Sequence, residues 1–519
     1  MTKYRYVMRV ALTVAMGGFL MGFDASVISG VVGFIETEFS LSKIELGWAV
    51  SSLTLTATLA MMTAGPLSDR FGRRKVLFWA AILFAVSAIA SAFAPNFWTL
   101  VVARMIGGFG VGASLIIAPM YIAEIAPPAV RGQMVSFNQL NIVVGISAAF
   151  FSNYLILQLG QSDAGWVQSL AFEANNWRWM LGVETLPALL YFVGLFFVPE
   201  SPRWLMLKGR ELEARGVLED AVGKEEAHRE VADIQASLAK DADKEKASVR
   251  ELFAPAMRLV ITIGVVIGVI QQITGINSVF FYAPMIFEQS GIGTDASFAQ
   301  AILVGLINLV FTVIAIMYID KLGRKALLVA GLSGITVSMF VLTFGFGSAT
   351  YTLTADSIAT LPTELNVAAV APMQDVTYDN DVAFKQALQD ALGEAEATQN
   401  ESAFIKAAIS MNPWLVLIGV LGFVASFAVS LGPVMWVLFS ELFPNRIRGI
   451  AISFVGLINS AVSFGVQLVF PWELATLGSA TTFFIYGLFA VVGLVFVVAK
   501  LPETKGRSLE ELEAILVKA

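Results

Sequence analysis

Twelve apolar stretches, each about as long as a bilayer is thick, recur along this chain and leave it few folds to choose from. They cover residues 10–34, 46–66, 76–94, 97–124, 134–159, 177–198, 259–287, 298–318, 326–346, 412–440, 449–470 and 475–499. An α-helix rises about 1.5 Å per residue, so about 20 apolar residues cross the hydrocarbon core. Lipid offers no hydrogen bonds to exposed backbone, which restricts such spans to helices. With 519 residues, 57% hydrophobic and 14% charged, a soluble fold would need one enormous core. The expected class is therefore an all-α polytopic membrane protein with twelve transmembrane helices.

The remaining composition narrows the chemistry. There is no cysteine, which excludes disulfides, thiol catalysis and thiolate metal sites. The one histidine, His228, sits in a charged segment and reads as solvated. No cofactor, metal centre, covalent catalysis or nucleic-acid partner is expected. Lys3, Arg5 and Arg9 lead straight into a span too long for a signal-peptide core, so the first helix is expected to stay. Of 33 Lys and Arg, all but Lys43, Arg104, Arg178, Lys385 and Lys406 fall on one side if the N-terminus is cytoplasmic. By the positive-inside rule both termini face the cytoplasm.

Two hydrophilic inserts break the pattern. Residues 200–256 read as a charged helical linker between an N-terminal half, 1–199, and a C-terminal half, 257–519. Residues 347–411 form an acidic external insert, read as a cap or a poorly ordered loop. The halves repeat three signatures. Asp69-Arg70-Phe71-Gly72-Arg73 follows span two, and Asp320-Lys321-Leu322-Gly323-Arg324 follows span eight. Glu124 precedes Arg131-Gly132 as Glu441 precedes Arg448-Gly449, and Pro199-Glu200-Ser201 matches Pro502-Glu503-Thr504. Matched repeats argue for two pseudo-symmetric six-helix halves in parallel topology, with a ligand between them near the midplane. Asp69, Arg73, Glu124, Arg131, Glu200, Asp320, Arg324, Glu441, Arg448 and Glu503 are then expected to form a cytoplasmic gate network of acid–base latches. Singly such pairs are weak; as a network they can bias a conformational equilibrium.

Charge inside the spans is expensive and marks function by default. By the boundaries above, the span interiors of the second half carry none and those of the first half carry three, Asp24, Arg104 and Glu184. At about 1.5 Å per residue these three share a layer about 10–15 Å below the outer helix ends. One arginine facing two carboxylates leaves a negative charge unbalanced, which a desolvated carboxylate answers by taking up a proton. Neutral polar groups form a second set. Gln271, Gln272 and Asn277 would point to three sides of a straight helix, so an unwound turn at Gly275 is expected, as in interrupted transporter helices. Asn138, Gln139 and Asn141, Asn308 and Asn459 add amides on spans five, eight and eleven. Trp436, after Gly432-Pro433, can stack on an apolar face. Amides both donate and accept, which suits a neutral polyhydroxylated solute.

Several stretches resemble the sugar porter family of the major facilitator superfamily over nearly the whole chain. They are Gly22-Phe23-Asp24 to Gly30, Gly65-Pro66-Leu67-Ser68-Asp69-Arg70-Phe71-Gly72-Arg73-Arg74, Arg104 to Glu124, Pro199-Glu200-Ser201-Pro202-Arg203-Trp204, Gln271 to Asn277 and Pro502-Glu503-Thr504-Lys505-Gly506. The resemblance implies the major facilitator fold and places Gln139, Gln271, Gln272, Asn277, Asn308, Trp436 and Asn459 at sugar-contacting positions. It also implies that Asp24 with Arg104 matches the proton-coupled branch, since facilitative relatives carry an amide there. Ser460, Phe281 and Ile146 depart from residues common among relatives and make the pocket less polar. The expectation is a monomeric symporter in the cell (inner) membrane that imports a monosaccharide with protons by alternating access. A facilitative uniporter, a non-transporting sugar sensor and a proton-driven drug exporter are the alternatives.

Overall fold

A computed structural model of the chain describes residues 5–242, 248–362, 365, 367–444 and 446–505, without the side chains of 240–242 and 320. Among the described residues twelve helices are long and apolar enough to cross a membrane. They are Arg5–Gly30, Lys43–Phe71, Arg73–Ala92, Phe97–Ile125, Arg131–Gly160, Asn176–Phe197, Pro255–Glu288, Thr294–Ile319, Arg324–Gly347, Pro413–Leu442, Arg448–Thr476 and Ser479–Lys500. These are spans one to twelve below.

Short helical junctions follow from glycine. Gly72 (φ 104°) and Gly323 (φ 93°) join spans two to three and eight to nine in a backbone region that other residues enter at a cost. Span seven is broken as its amide pattern requires. Its first half ends at Ile273, Gly275 takes a left-handed conformation (φ 90°, ψ 18°), and the second half starts at Ile276. A methyl group on Gly275 would also run into the ring of Tyr486. Span ten breaks likewise at Ser430 (φ −128°, ψ −97°), between helices Pro413–Val429 and Leu431–Leu442.

The helices group into two compact units whose limits run through spans as well as between them. The first comprises Met1–Val27, Ser52–Ala149 and Arg178–Ala247. Close helix contact there is made by small residues, where backbone can approach backbone. A side chain on Gly22 would strike the Ile142 carbonyl, one on Gly145 that of Phe19, and one on Gly112 that of Ala57. The core of this unit runs from Val7, Val14 and Leu20 to Phe84, Tyr121 and Tyr191. Linker helices Pro202–Leu207, Glu211–Val222 and Lys224–Ala242 carry their own small clusters, Trp204 with Ala214 and Leu218 with Ala227 and Val231.

The second unit comprises Ile28–Ser51, Phe150–Trp177 and Ser248–Ala519. It includes the far end of span one, where helix Val32–Glu38 follows Gly30, and that segment lies against span seven.

The described residues of the insert 347–411 form a folded cap rather than a poorly ordered loop. Strands Thr350–Thr352, Thr377–Tyr378 and Ile409–Ser410 form an antiparallel sheet with the first strand in the centre, in the register Tyr351↔Tyr378 and Tyr351↔Ile409. Helices Asp381–Leu392, Glu394–Gln399 and Glu401–Ala408 cover it. Tyr351, Phe384, Leu388, Phe404 and Ile405 make a buried core, with Tyr351 stacked on Phe384 at 5.3 Å between ring centres.

Polar contacts tie this insert to the spans. Asp381 accepts hydrogen bonds from the Ser479 backbone N–H and hydroxyl at the start of span twelve, both 3.0 Å. Glu401 pairs with Lys385 at 3.0 Å and accepts from Gln289 at 3.1 Å. Burial alone would raise the Glu401 carboxyl, but the Lys385 and Lys43 ammonium groups, with Gln289, hold it down at about 2.

Replacing Glu401 by Gln should therefore destabilise the insert by about 1–3 kcal/mol at neutral pH, read as a lower melting temperature and faster trypsin cleavage at Lys385 and Lys406. The folded carboxyl titrates below its unfolded value of about 4.3, so its contribution is complete above that pH and is lost as pH falls toward 2. The difference in melting temperature between wild type and variant should stay constant down to about pH 5 and shrink below about pH 4.

Candidate functional site

Three groups of polar residues stand out, and within each the contacts described stay inside one unit. In the first unit Asp24, Arg104 and Glu184 are each 2% exposed. Arg104 donates to Asp24 Oδ1 at 3.3 Å and to the Asp24 carbonyl at 3.4 Å. Gly107, one helical turn on, closes the site: a Cβ there would lie 2.7 Å from Asp24 Oδ2 and 2.5 Å from Ser87 Oγ. Glu184 sits at a break in span six, ahead of helix Thr185–Gly194, within electrostatic reach of both. Asp24 Oδ2, Arg104 Nε and Glu184 Oε1 are buried without hydrogen-bond partners. The three predicted charges are thus brought together, and one cation serves two acids. Orphaned buried carboxylate oxygens are costly, and a proton is the smallest species that relieves them.

The second group is the amide network of the second unit. The break in span seven turns Asn277 back toward Gln272, whose Oε1 accepts from Asn277 at 2.9 Å. Gln272 donates to Gln271 Oε1 at 3.0 Å and to Asn459 Oδ1 at 3.3 Å. Asn459 donates to Gln271 Oε1 and to the Gly268 carbonyl, both 2.8 Å. Gln271 donates to the Leu431 carbonyl at 3.0 Å, at the break in span ten.

Two members were missing from the expected set. Ser463 accepts from Asn277 at 2.7 Å and from Gln467 at 2.8 Å. Asn459, Ser463 and Gln467 stand four residues apart and so share one helix face; that spacing was available in the sequence. Asn308 is buried on span eight, and Trp436 is 46% exposed with its ring against Phe439. Neither hydrogen-bonds to this network among the described residues. Gln139 is exposed on span five, in the first unit, where Asn138 is buried and Asn141 donates to the Phe137 carbonyl. Glu288 and Glu473 add carboxylates near helix ends in the second unit, beyond the span limits expected from hydropathy.

The third group comprises the loop charges, and they pair within each unit. Arg73, 4% exposed, makes a two-pronged contact with Glu124 at 3.0 and 3.1 Å and reaches Asp69 at 2.7 Å. Its backbone N–H donates to Glu200 at 2.9 Å, and Ser201 Oγ donates to Glu124. The second unit repeats this. Arg324 donates to Glu441 at 2.7 Å, its backbone N–H donates to Glu503 at 2.9 Å, and Thr504 Oγ1 donates to Glu441 at 2.6 Å. Burial works to raise the Glu503 carboxyl, but the backbone N–H groups of Lys505, Arg324, Ala326 and Lys325 hold it below its ordinary value. Arg131 and Arg448 stand apart from these clusters. Each caps a backbone carbonyl five residues back, Ala126 at 3.3 Å and Phe443 at 3.1 Å. The side chain of Asp320 lies outside the described residues.

The family profile described as "Sugar (and other) transporter" matches residues 10–367 and 397–516. The chain belongs to the sugar porter family. This sugar porter is 33% identical to the arabinose-proton symporter of Bacillus subtilis over 99% of its own length and 96% of the relative's. It is 34% identical to the D-xylose-proton symporter of Escherichia coli K12, covering 99% of this chain and 97% of that one. Its fold is similar to the inward-open xylose transporter of E. coli, with a TM-score of 0.74 at 32% identity over 98% of this chain. As a sugar porter it is a multi-pass membrane transporter of the major facilitator superfamily and not an enzyme.

Removing one partner of a buried ion pair costs about 3–5 kcal/mol, and the more exposed the pair the smaller the loss. Glu124→Gln should therefore lower the melting temperature of the purified porter more than Glu441→Gln, because Arg73 is 4% exposed whereas the Arg324 and Glu441 side chains are 11% and 22% exposed.

Proposed function

We propose that the protein is a proton-coupled symporter that imports a monosaccharide or related polyol across the cell membrane by alternating access. It works as a monomer with both termini in the cytoplasm. The observation that carries the sugar reading is the amide network of Gln271, Gln272, Asn277 and Asn459, whose members now hydrogen-bond to one another at broken helices. A sugar hydroxyl donates and accepts, so it can replace those mutual bonds one for one without stranding a buried polar atom. The half-exposed ring of Trp436 offers the flat apolar surface that a pyranose or furanose face requires. Gln139 and Asn308 are proposed as further sugar contacts.

Proton coupling is supported by Asp24, Arg104 and Glu184. Protonation of Asp24 would loosen its hold on Arg104 and free the guanidinium for Glu184. That exchange links proton binding to a rearrangement of spans one, four and six. Relatives named as arabinose-proton and D-xylose-proton symporters support the same reading. The loop clusters around Arg73 and Arg324 are proposed to stabilise one state of the transport cycle.

Purified protein in proteoliposomes should accumulate labelled D-xylose, L-arabinose or D-glucose above the external concentration only when an inward proton gradient is imposed. Accumulation without a gradient would sink the symport. Asp24→Asn should abolish uphill accumulation while retaining sugar exchange; unchanged net flux in that variant would identify a uniporter. Asn459→Leu strips a donor from Gln271 and an acceptor from Gln272 together and should lower kcat/KM for uptake at least tenfold, equivalent to about 1.4 kcal/mol.

A further inference from the structure

A cavity of about 230 Å³ lies wholly within the second unit. It is walled by helix Val32–Glu38, the end of span seven, the start of span eight, and the insert helices Glu394–Gln399 and Glu401–Ala408. It is distinct from the amide network: Glu288, in its wall, follows Asn277 along span seven by about 16 Å at roughly 1.5 Å per residue. At roughly 30 Å³ per water it has room for about eight waters, the space of one monosaccharide.

Charge chemistry in the wall selects the class of occupant. Glu36 is held by Lys43 at 2.5 Å, and Glu401 by Lys385 at 3.0 Å and by the Gln289 amide. These pairs are already matched. An added cation would face the Lys43 ammonium, and an added anion would face Glu36, Glu288 and Glu401. A neutral solute with many hydroxyls meets neither penalty, since carboxylates accept from it and the ammonium and amides donate to it. One wall group asks for such a solute directly. The Ser29 hydroxyl is buried, its residue 2% exposed and in the cavity wall, and has no hydrogen-bond partner among the described residues. A buried hydroxyl without a partner is unfavourable, and a ligand hydroxyl beside it would supply one.

We propose that this cavity is a second monosaccharide site, built jointly by the insert and the segment joining spans one and two. The choice of sugar as occupant rests on the transport reading above; the existence of a separate site does not. Its place on the insert side makes it a holding site for sugar on the outer face of the membrane, and it assigns the insert a task in binding.

Equilibrium dialysis of purified full-length protein with labelled D-xylose, L-arabinose and D-glucose tests this. Gly33 lines the cavity, its backbone is helical, and a Cβ added there meets no atom within 4 Å. Gly33→Phe therefore fills the space without strain, and Gln272→Leu disables the amide network. Wild type should bind two equivalents of at least one of these sugars, each single variant one, and the double variant none. One equivalent in wild type, lost in Gln272→Leu and kept in Gly33→Phe, would overturn the second site and leave the transport reading intact. One equivalent lost only in Gly33→Phe would support the cavity and overturn the amide network as the sugar site. Absence of displaceable binding of all three sugars would overturn both. Ser402→Leu, in the insert wall, repeats the test should Gly33→Phe fail to fold.

Discussion

The rest of the structure depends on one rule of the lipid environment: a backbone group that leaves its helix must find a partner inside the protein. Spans seven and ten both break, at Gly275 and Ser430. Hydroxyls at the breaks supply part of what the helices lose. Thr274 Oγ1 donates to the Ile270 and Gln271 carbonyls at 3.0 and 3.2 Å, and Ser430 Oγ donates to that of Ser426 at 2.6 Å. The amides proposed as sugar contacts bond beside these breaks to one another and to the Leu431 and Gly268 carbonyls, so replacing them would also disturb how spans seven, ten and eleven pack.

Charge is handled by the opposite strategy in different places. At the loop ends, the two units use the same wiring: an arginine on a glutamate, its backbone N–H on a second glutamate, and a hydroxyl bridging back. Glu124, Glu200, Glu441 and Glu503 each have donors there, and such clusters hold helix ends in register. Within the spans the first unit breaks that symmetry. Arg104 cannot satisfy Asp24 and Glu184 together, and three buried polar atoms remain unmatched. A duplicated fold with one unbalanced copy suits the proposed proton coupling, in which the proton would change the energy at that mismatch.

Much of this was legible beforehand because it is local. Twelve spans followed from hydropathy, and the break at Gly275 from three amides that no straight helix could hide. Asp24, Arg104 and Glu184 were found as rare charges at matching depth. Other features depended on information that windows along a sequence do not hold. Ser463 and Gln467 looked like ordinary polar residues until Asn277 was seen against them. Arg131 and Arg448 shared the spacing of the latch motif, yet their guanidinium groups cap carbonyls of their own loops. The acidic insert reads from sequence as a cap or a poorly ordered loop because its strands are only two or three residues long and its core is gathered from Tyr351, Phe384 and Phe404, widely separated in the chain.

By itself the sequence determined the class, the number of crossings, the repeat and the residue types that an aqueous cleft in lipid would need, since these follow from the energy of each segment in its solvent. Tertiary structure decided which of those residues meet. Gln272 and Asn459 are 187 positions apart, and Gln289 and Glu401 are 112 apart. Such pairs exist only once the helices have closed on one another, because a hydrogen bond reaches about 3 Å and the chain between its ends carries no record of the distance it will finally span.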